Sequence, residues 1–149
     1  MSLNNNPEIN VARQFRGYLS HRTLRATPER MTVLQEISLI DSHFNAENLY
    51  IRLHNKDHKI SRATVYRTLE LLVDSGLVRK TVFDDHIASF ERHFNKPDHA
   101  HFICTQCGRI IEFYDQSIQT LHRNLEQKYA VRIINHTHQI YGKCKDCIG

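Results

Sequence analysis

Four cysteines in two closely spaced pairs constrain the fold of this chain more than any other feature. Cys104 and Cys107 form one Cys-x-x-Cys pair, Cys144 and Cys147 form the other, and residues 108–143 lie between them. Two such pairs can complete a tetrahedron of sulfur around zinc, which leaves no coordination position open for catalysis. Two disulfides, or four unconnected thiols, are the alternative interpretations. The spacing predicts a structural zinc site whose long connecting segment folds as a helix and a strand.

The termini and the composition bear on location and partners. The first ten residues are polar and rich in asparagine, and no apolar run reaches the roughly 18–20 residues that span a bilayer. We therefore expect a cytoplasmic protein with no membrane partner, in which disulfides are disfavoured. The net charge is +4, with basic residues in excess between Arg13 and Lys80. This excess permits nucleic acid as a partner without requiring it.

The N-terminal part of the chain has the pattern of three helices followed by a hairpin. Helix-capping residues stand at Thr27-Pro28, near Asn45-Ala46 and at Ser61, and Asp74-Ser75-Gly76 marks a helix end. A further helix over about Asn10–Ser20 would precede them. Two extended segments follow, Leu77–Phe83 and Ile87–Arg92, joined by Asp84-Asp85-His86. The pattern indicates a winged helix-turn-helix with the Ser61–Ser75 helix as recognition helix; a small helical domain with a hairpin is the alternative.

The sequence predicts a hinge at residues 94–98, which include Pro97, and a small α/β unit after it. Strands are expected at His101–Cys104 and Arg109–Phe113, and a third over Ala130–Tyr141. Asp115 would cap a helix that runs to about Lys128 and turns Ile118, Leu121 and Leu125 inward. The predicted fold class is α+β. Its parts are a winged-helix domain at residues 1–93, the hinge at 94–98, and a dimerisation and metal-binding domain at 99–149.

Histidines suggest a second metal site beside the first cysteine pair. His99 and His101 alternate along one strand, so both imidazoles project from the same face. Glu112 on the facing strand could add a carboxylate. Further nitrogen and oxygen donors lie on the other side of the hinge: His43, Glu91 and His93. Such a donor set suits iron(II), zinc, manganese, cobalt or nickel. Solvated surface histidines are the alternative interpretation.

Several motifs in order along the chain resemble the ferric uptake regulator family. They run from about Leu19 to Cys147: Thr27-Pro28-x-Arg30, Ala46-Glu47-x-Leu49-Tyr50, Ser61-x-Ala63-Thr64-Val65-Tyr66-Arg67-Thr68-Leu69, Gly76-Leu77-Val78, His99-x-His101-Phe102-x-Cys104-x-x-Cys107-Gly108 and Tyr141-Gly142-x-Cys144-x-x-Cys147. The resemblance implies a metal-dependent repressor that binds double-stranded DNA as a homodimer at a palindromic operator.

The resemblance also implies roles for individual residues. The structural zinc ligands would be the four cysteines. The ligands of a sensor ion would be His43, Glu91 or His93, His99, His101 and Glu112. A further family site falls on Asp98, Ala100, Gln119 and His136; it is doubtful because alanine cannot bind metal, and whether His138 compensates stays open. The DNA contacts would be Arg25, Arg62, Tyr66 and Arg67.

The expected cofactors are a structural Zn²⁺ and a second divalent cation. Fe²⁺ is expected first, because Glu112 stands where peroxide-sensing members tend to carry aspartate and because the sequence has no fifth cysteine of the kind that zinc sensors often use. Zn²⁺ and Mn²⁺ stay open, as do zinc-sensing and peroxide-sensing members of the family. From other classes, a zinc enzyme acting on nucleic acid and a purely structural zinc protein are the alternatives. No acid/base pair beside an open metal position supports the enzyme.

Overall fold

The computed structural model describes residues 7–82, 87–96, 98–133 and 136–149. The chain forms two compact units, Met1–Lys96 and Pro97–Gly149. The division falls within the 94–98 segment in which the hinge was expected. The predicted turn at Asp84-Asp85-His86 lies outside the described residues.

The described residues of the first unit form four helices and a two-stranded sheet. The helices are α1 (Pro7–His21), α2 (Pro28–Ser38), α3 (Ala46–Asn55) and α4 (Arg62–Asp74), and the strands are β1 (Val78–Val82) and β2 (Ala88–Arg92). Side chains of Thr27, Asn45 and Ser61 cap the last three helices, each accepting a hydrogen bond from the backbone N–H three residues later. Gly76, with φ of 78°, follows the end of α4 and leads into the antiparallel β1–β2 pair. This is the predicted winged-helix arrangement.

The core of the first unit takes one apolar face from each helix. Phe15, Ile37, Leu53 and Leu72 are among its fully buried side chains. One carboxylate is buried at its edge: Glu36 is 4% exposed and pairs with Arg52 at 2.9 Å and Lys56 at 2.8 Å. The packing of α2 and α3 against α4 leaves the opposite face of α4 exposed.

The second unit is a three-stranded sheet with one helix. Its elements are β3 (Ala100–Cys104), β4 (Ile110–Phe113), α5 (Gln116–Tyr129) and β5 (Gln139–Gly142). The strand order is β4-β3-β5, with β4 antiparallel and β5 parallel to β3. The third strand is therefore much shorter than the predicted Ala130–Tyr141. The partner strand β3 offers ladder positions only from His101 to Cys104, and these pair with Gln139–Gly142.

A second correction concerns α5, which Asp115 caps as predicted. None of its residues is buried, and two that were expected to face inward are exposed: Leu121 at 48% and Leu125 at 37%. Apolar side chains of β4 and β5 share this exposure, among them Ile111 and Ile140. The described residues of the second unit leave these apolar side chains exposed.

No helix in the described part of the chain has both the length and the apolar character needed to cross a membrane.

Candidate metal centres and nucleic-acid interface

The four cysteines, far apart in sequence, converge in the second unit. Their Sγ atoms all lie within 4.8 Å of one another, and Cys107 Sγ is 3.7 Å from Cys144 Sγ. Sulfur ligands 2.3 Å from a tetrahedral zinc would lie about 3.8 Å apart. Cys104 and Cys144 are buried, whereas Cys107 is exposed. The geometry and the soft donor set fit zinc.

The local fold explains why the two pairs meet. Parallel pairing of β3 with β5 sets Cys104 beside Gly142, so each pair follows the end of a neighbouring strand. A Cβ on Gly142 would lie 3.0 Å from the ring of Phe102, which makes glycine the residue that fits there. Gly108 closes the first turn with φ of 73°, donating its N–H to Cys104 O at 2.9 Å.

Hydrogen bonds within the cluster lower the pKa of one thiol and raise the pKa of another. Backbone N–H groups of Cys144 and Cys107 donate to Cys104 Sγ and lower the pKa of this thiol to about 6. Hydrogen bonding to Cys144 and burial raise the pKa of Cys147 to about 12. The cluster therefore loses its first proton readily and its last with difficulty, as expected for acids that share a site. A bound cation would favour the thiolate at every position.

In the first unit, His43 and Glu91 come together through a backbone contact between their neighbours. Phe44 and Phe90 form an isolated antiparallel bridge, with N–H···O distances of 2.9 and 2.7 Å. This bridge sets His43 Nε2 3.4 Å from Glu91 Oε2. Two cationic side chains also approach the buried Glu91 carboxylate: Lys96 at 3.7 Å and Arg79 at 3.9 Å. An imidazole and a carboxylate of the predicted sensor set are thus adjacent.

His93, the alternative to Glu91, lies in a different environment. Its Nδ1 is 2.8 Å from a guanidinium nitrogen of Arg79, which places a cationic group against that ring nitrogen. The backbone N–H of His93 donates to Leu77 O at 2.9 Å, just beyond the end of β2.

In the second unit, His99, His101 and Glu112 also lie together. Register pairs His101 with Glu112 across β3 and β4. The Nε2 atoms of His99 and His101 are 3.8 and 3.9 Å from Glu112 Oε1. The two rings meet edge to face with centroids 4.8 Å apart. The Glu112 carboxylate therefore lies within 4 Å of a ring nitrogen of each histidine.

Three residues that the resemblance assigns to a further site, Asp98, Gln119 and His136, line one hollow, and Asp98 lies 3.8 Å from His136. The nearest imidazole neighbours of His136 are His122 and His138, and their nitrogens group within 4.8 Å. Sequence reasoning missed His122 altogether. The signal was present, because His122 lies three residues after Gln119 on the same helix and therefore on the same face.

The exposed face of α4 carries the three predicted DNA-contacting residues of that helix. Arg62, Tyr66 and Arg67 are exposed, while Val65, Thr68 and Leu69 between them are buried. Arg62 is held by its neighbours: its guanidinium donates to Glu47 at 2.9 Å and lies 4.3 Å from the ring centroid of Tyr50. Hydrogen bonds from Arg62 lower the pKa of the Glu47 carboxyl.

A polar hollow lies at the N-termini of α2 and α4. It is lined by groups that suit a phosphate, including Arg30, Lys59, Ser61 and Arg67. Arg25 is exposed at the approach to α2, and its carbonyl accepts a 2.6 Å hydrogen bond from Arg30. The predicted DNA-contacting residues therefore lie on an exposed, basic side of the first unit.

Comparison with known proteins gives one consistent relationship. A sequence model described as "Ferric uptake regulator family" matches residues 21–141. The ferric uptake regulation protein of Escherichia coli K12 is 36% identical over 124 residues, which is 83% of either chain.

Solved structures show the same similarity in three dimensions. The Helicobacter pylori ferric uptake regulator, described with three functional metal-binding sites, has a TM-score of 0.72 at 25% identity and covers 95% of this chain and 94% of its own. The Pseudomonas aeruginosa regulator with manganese gives 0.74 at 27% identity, over 87% and 97% of the two chains. A zinc uptake regulator bound to zinc and DNA gives 0.56 at 27% identity, over 97% of each.

These relatives confirm the α+β fold class and the DNA-binding type of protein. Members of the family are transcriptional regulators rather than enzymes, and structures of relatives are described with manganese and with zinc and DNA. By the match over most of its length, the chain belongs to the ferric uptake regulator family.

Proposed function

We propose that this protein is a metal-responsive repressor that binds a palindromic operator as a homodimer, with iron(II) as the sensed ion and a separate structural zinc. The observation that carries the proposal is that the donors of the predicted sensor ion form two partial metal sites, which we call the two half-sites. His43 with Glu91 forms one within the first unit, and His99 and His101 with Glu112 form the other within the second.

The four-cysteine cluster supports the structural part of the proposal. Its sulfur separations suit tetrahedral zinc, and four protein ligands leave no position for a substrate or a signal. Cys104 is the last residue of β3 and Cys144 lies two residues beyond the end of β5, so a zinc held there would connect the two strands. We propose that this site stabilises the fold of the second unit.

The two half-sites support the sensing part. Imidazole and carboxylate donors without sulfur suit iron(II) and manganese, and also zinc. We propose Glu91 as the acidic ligand of the first half-site, because Glu91 lies against His43 whereas His93 lies against Arg79. A divalent cation bound by both half-sites would favour the arrangement of the units that binds DNA, which is a population shift.

The exposed face of α4 supports the DNA-binding part. Arginine can read guanine or enter a narrow groove, and a tyrosine ring can pack on a thymine methyl group. We propose base contacts for Tyr66 and Arg67, a minor-groove contact for Arg25, and a phosphate contact for Arg62. Glu47 holds the Arg62 guanidinium in one orientation. In a homodimer the two α4 helices would read the two halves of a palindrome.

The apolar surface of the second unit supports the homodimer. Leu121 and Leu125 on α5 are exposed together with Ile111 and Ile140. Exposed apolar groups concentrated in one small unit are typical of an interaction surface. We propose that a second copy of this chain covers them.

Operator binding measured with each ion in turn tests the proposal. The zinc-loaded protein is stripped of exchangeable metal and titrated with Fe²⁺, Mn²⁺ or Zn²⁺ at fixed salt, since salt alone changes DNA affinity. We expect DNA binding to require the second ion and Fe²⁺ to act at the lowest concentration in anaerobic buffer. DNA binding that is independent of added metal would contradict the sensor. A stronger response to Zn²⁺ would identify a zinc-sensing member.

A further inference from the structure

We propose that His122, His136 and His138 form a metal site of their own, which takes a nitrogen-preferring divalent cation such as zinc, cobalt or nickel. The three imidazoles come from two elements of the second unit. His122 lies on α5, and His136 and His138 lie in the segment that leads into β5. Each offers one nitrogen, and these three nitrogens all lie within 4.8 Å of one another.

The ring nitrogens of the cluster lie close together. His122 Nε2 and His138 Nε2 are 2.8 Å apart, and the two rings are nearly parallel, with an interplanar angle of 26° and centroids 5.0 Å apart. The ring of His136 lies 4.2 Å from that of His122 and 5.4 Å from that of His138, tilted by 57° and 51°. Nitrogen ligands 2.0–2.1 Å from a tetrahedral zinc would lie about 3.3 Å apart. Small rotations of the rings would reach that spacing.

A carboxylate lies near one of the imidazoles. Asp98 Oδ2 is 3.8 Å from His136 Nε2, and both residues line the same hollow as His122. Asp98 can act as a fourth ligand, or it can orient the His136 ring, as carboxylates commonly do for metal-bound histidines.

This donor set differs from the one that the family resemblance places nearby. That set would use positions 98, 100, 119 and 136, but Ala100 has no donor and Gln119 offers only a neutral amide. Here His122, one helical turn beyond Gln119, and His138 supply the missing ligands. Exchanging oxygen donors for imidazoles shifts the preference from manganese and iron towards zinc, cobalt and nickel. The chain thus keeps a metal position in this hollow but changes the metal that suits it.

Occupation of the site would link α5 to the start of β5. His101 N–H donates to His138 O at 3.0 Å, so His138 is the last residue before the β3–β5 ladder, and that ladder leads to Cys144. A cation held by His122 and His138 would therefore stabilise the second unit separately from the four-cysteine cluster.

Cobalt titration of the full-length, zinc-loaded protein tests the site. The background variant His101→Ala weakens the proposed sensor set, so the remaining exchangeable cobalt reports on this cluster. We expect one Co²⁺ to bind with the visible spectrum of a nitrogen-coordinated tetrahedral ion and to raise the melting temperature. Adding His122→Ala or His138→Ala should weaken this binding more than about 100-fold, because even losing a supporting partner of a ligand costs 10–100-fold.

Gln119→Ala in the same background is the matched control, since Gln119 lines the hollow but is not a proposed ligand. It should bind Co²⁺ as the background does. Equal cobalt binding with and without His122 and His138 would overturn the proposal, and so would a Gln119→Ala loss as large as that of His122→Ala. Neither outcome depends on DNA binding, so the result is separate from that of the sensor.

Discussion

Cys104 is the most enclosed of the four sulfur ligands and accepts the hydrogen bond from Cys144 N–H that joins the two pairs. We predict that Cys104→Ser loses the zinc, unfolds the second unit and abolishes dimers, because zinc binding contributes folding free energy on the order of 10 kcal/mol. Zinc content, circular dichroism and sedimentation measure the three effects. Gln106→Ser, in the same turn and exposed, should change none of them. A stable, dimeric, zinc-free Cys104→Ser protein would contradict the structural assignment.

Glu36 is a buried charge with a pH-dependent contribution to stability. Burial alone would raise the pKa of its carboxyl, but hydrogen bonds from Lys56 and Arg52 outweigh burial and lower it. A carboxyl with a lowered folded-state pKa stabilises the fold above its unfolded pKa of about 4.3 and loses that contribution as the pH falls through the folded value.

We therefore predict that Glu36→Gln lowers the free energy of unfolding by about 1–2 kcal/mol at pH 7, and by less in acid. The loss is moderate because Arg52 and Lys56 are 46% exposed and can regain water. Urea unfolding at neutral and acidic pH measures it. Glu47→Gln is the control, since its pair with Arg62 is exposed and should contribute little. A Glu36→Gln effect that does not depend on pH would rule out the linkage.

Individual residues differed in how far the sequence could place them. The cysteine spacing was sufficient to predict that the four thiols meet, because two such pairs are typical of one metal site. Between Glu91 and His93 the sequence left the choice open, and the contact on which we propose Glu91 comes from the Phe44–Phe90 bridge, which joins residues far apart in sequence. His122 was not predicted because the family motifs do not include its position. Its spacing from Gln119 on a helix nevertheless places it beside the further site.

Helix α4 is the element on which DNA recognition depends in this account. We predict that Tyr66→Ala loses discrimination between operator and random DNA. Arg25→Ala should weaken binding to both and lower the salt slope by about one unit if it meets one phosphate. Fluorescence anisotropy over a salt series measures both effects. Arg16→Ala removes an equivalent exposed charge from α1 and should change neither. Unchanged operator affinity in Tyr66→Ala and Arg25→Ala would mean that another face binds DNA.

We propose that the dimer depends on helix α5. We predict that Leu125→Glu shifts the protein to monomers while the four-cysteine site keeps its zinc, because a charge would be buried at the interface without a partner. Sedimentation and zinc content report the two properties. Gln127→Glu, on the opposite face of the helix, should stay dimeric. A dimeric Leu125→Glu protein would place the interface elsewhere.

Helix α5 also shows which properties of helices and strands the sequence could not predict. Capping residues located α2 to α5 correctly, because a cap is a local interaction between a side chain and its own backbone. The inward orientation of Leu121 and Leu125 was wrong, since periodicity identifies an apolar face but not what covers it. The long third strand was wrong for a related reason: alternation predicts the faces of a strand, but its length depends on the partner, and within this segment β3 pairs with Gln139–Gly142.

For the molecule as a whole, Pro97 and a change of pattern predicted a hinge at residues 94–98, and the two compact units divide within that segment. The identity of the sensed ion cannot be obtained in this way. Imidazole and carboxylate donors accept several divalent cations, and the relatives bind manganese in one structure and zinc in another. Selectivity among such ions depends on geometry and metal supply more than on donor type.

The central claim is that one exchangeable ion joins His43 and Glu91 of the first unit to His99, His101 and Glu112 of the second. The most direct measurement is the metal concentration at which operator binding reaches half its maximum, compared for wild type, His43→Ala, His99→Ala and His93→Ala. We predict that His43→Ala and His99→Ala fold, keep one zinc and remain dimeric, yet need far more metal, while His93→Ala responds as wild type. If His43→Ala and His99→Ala respond to metal as the wild type does, the two half-sites do not share an ion and the mechanism is wrong.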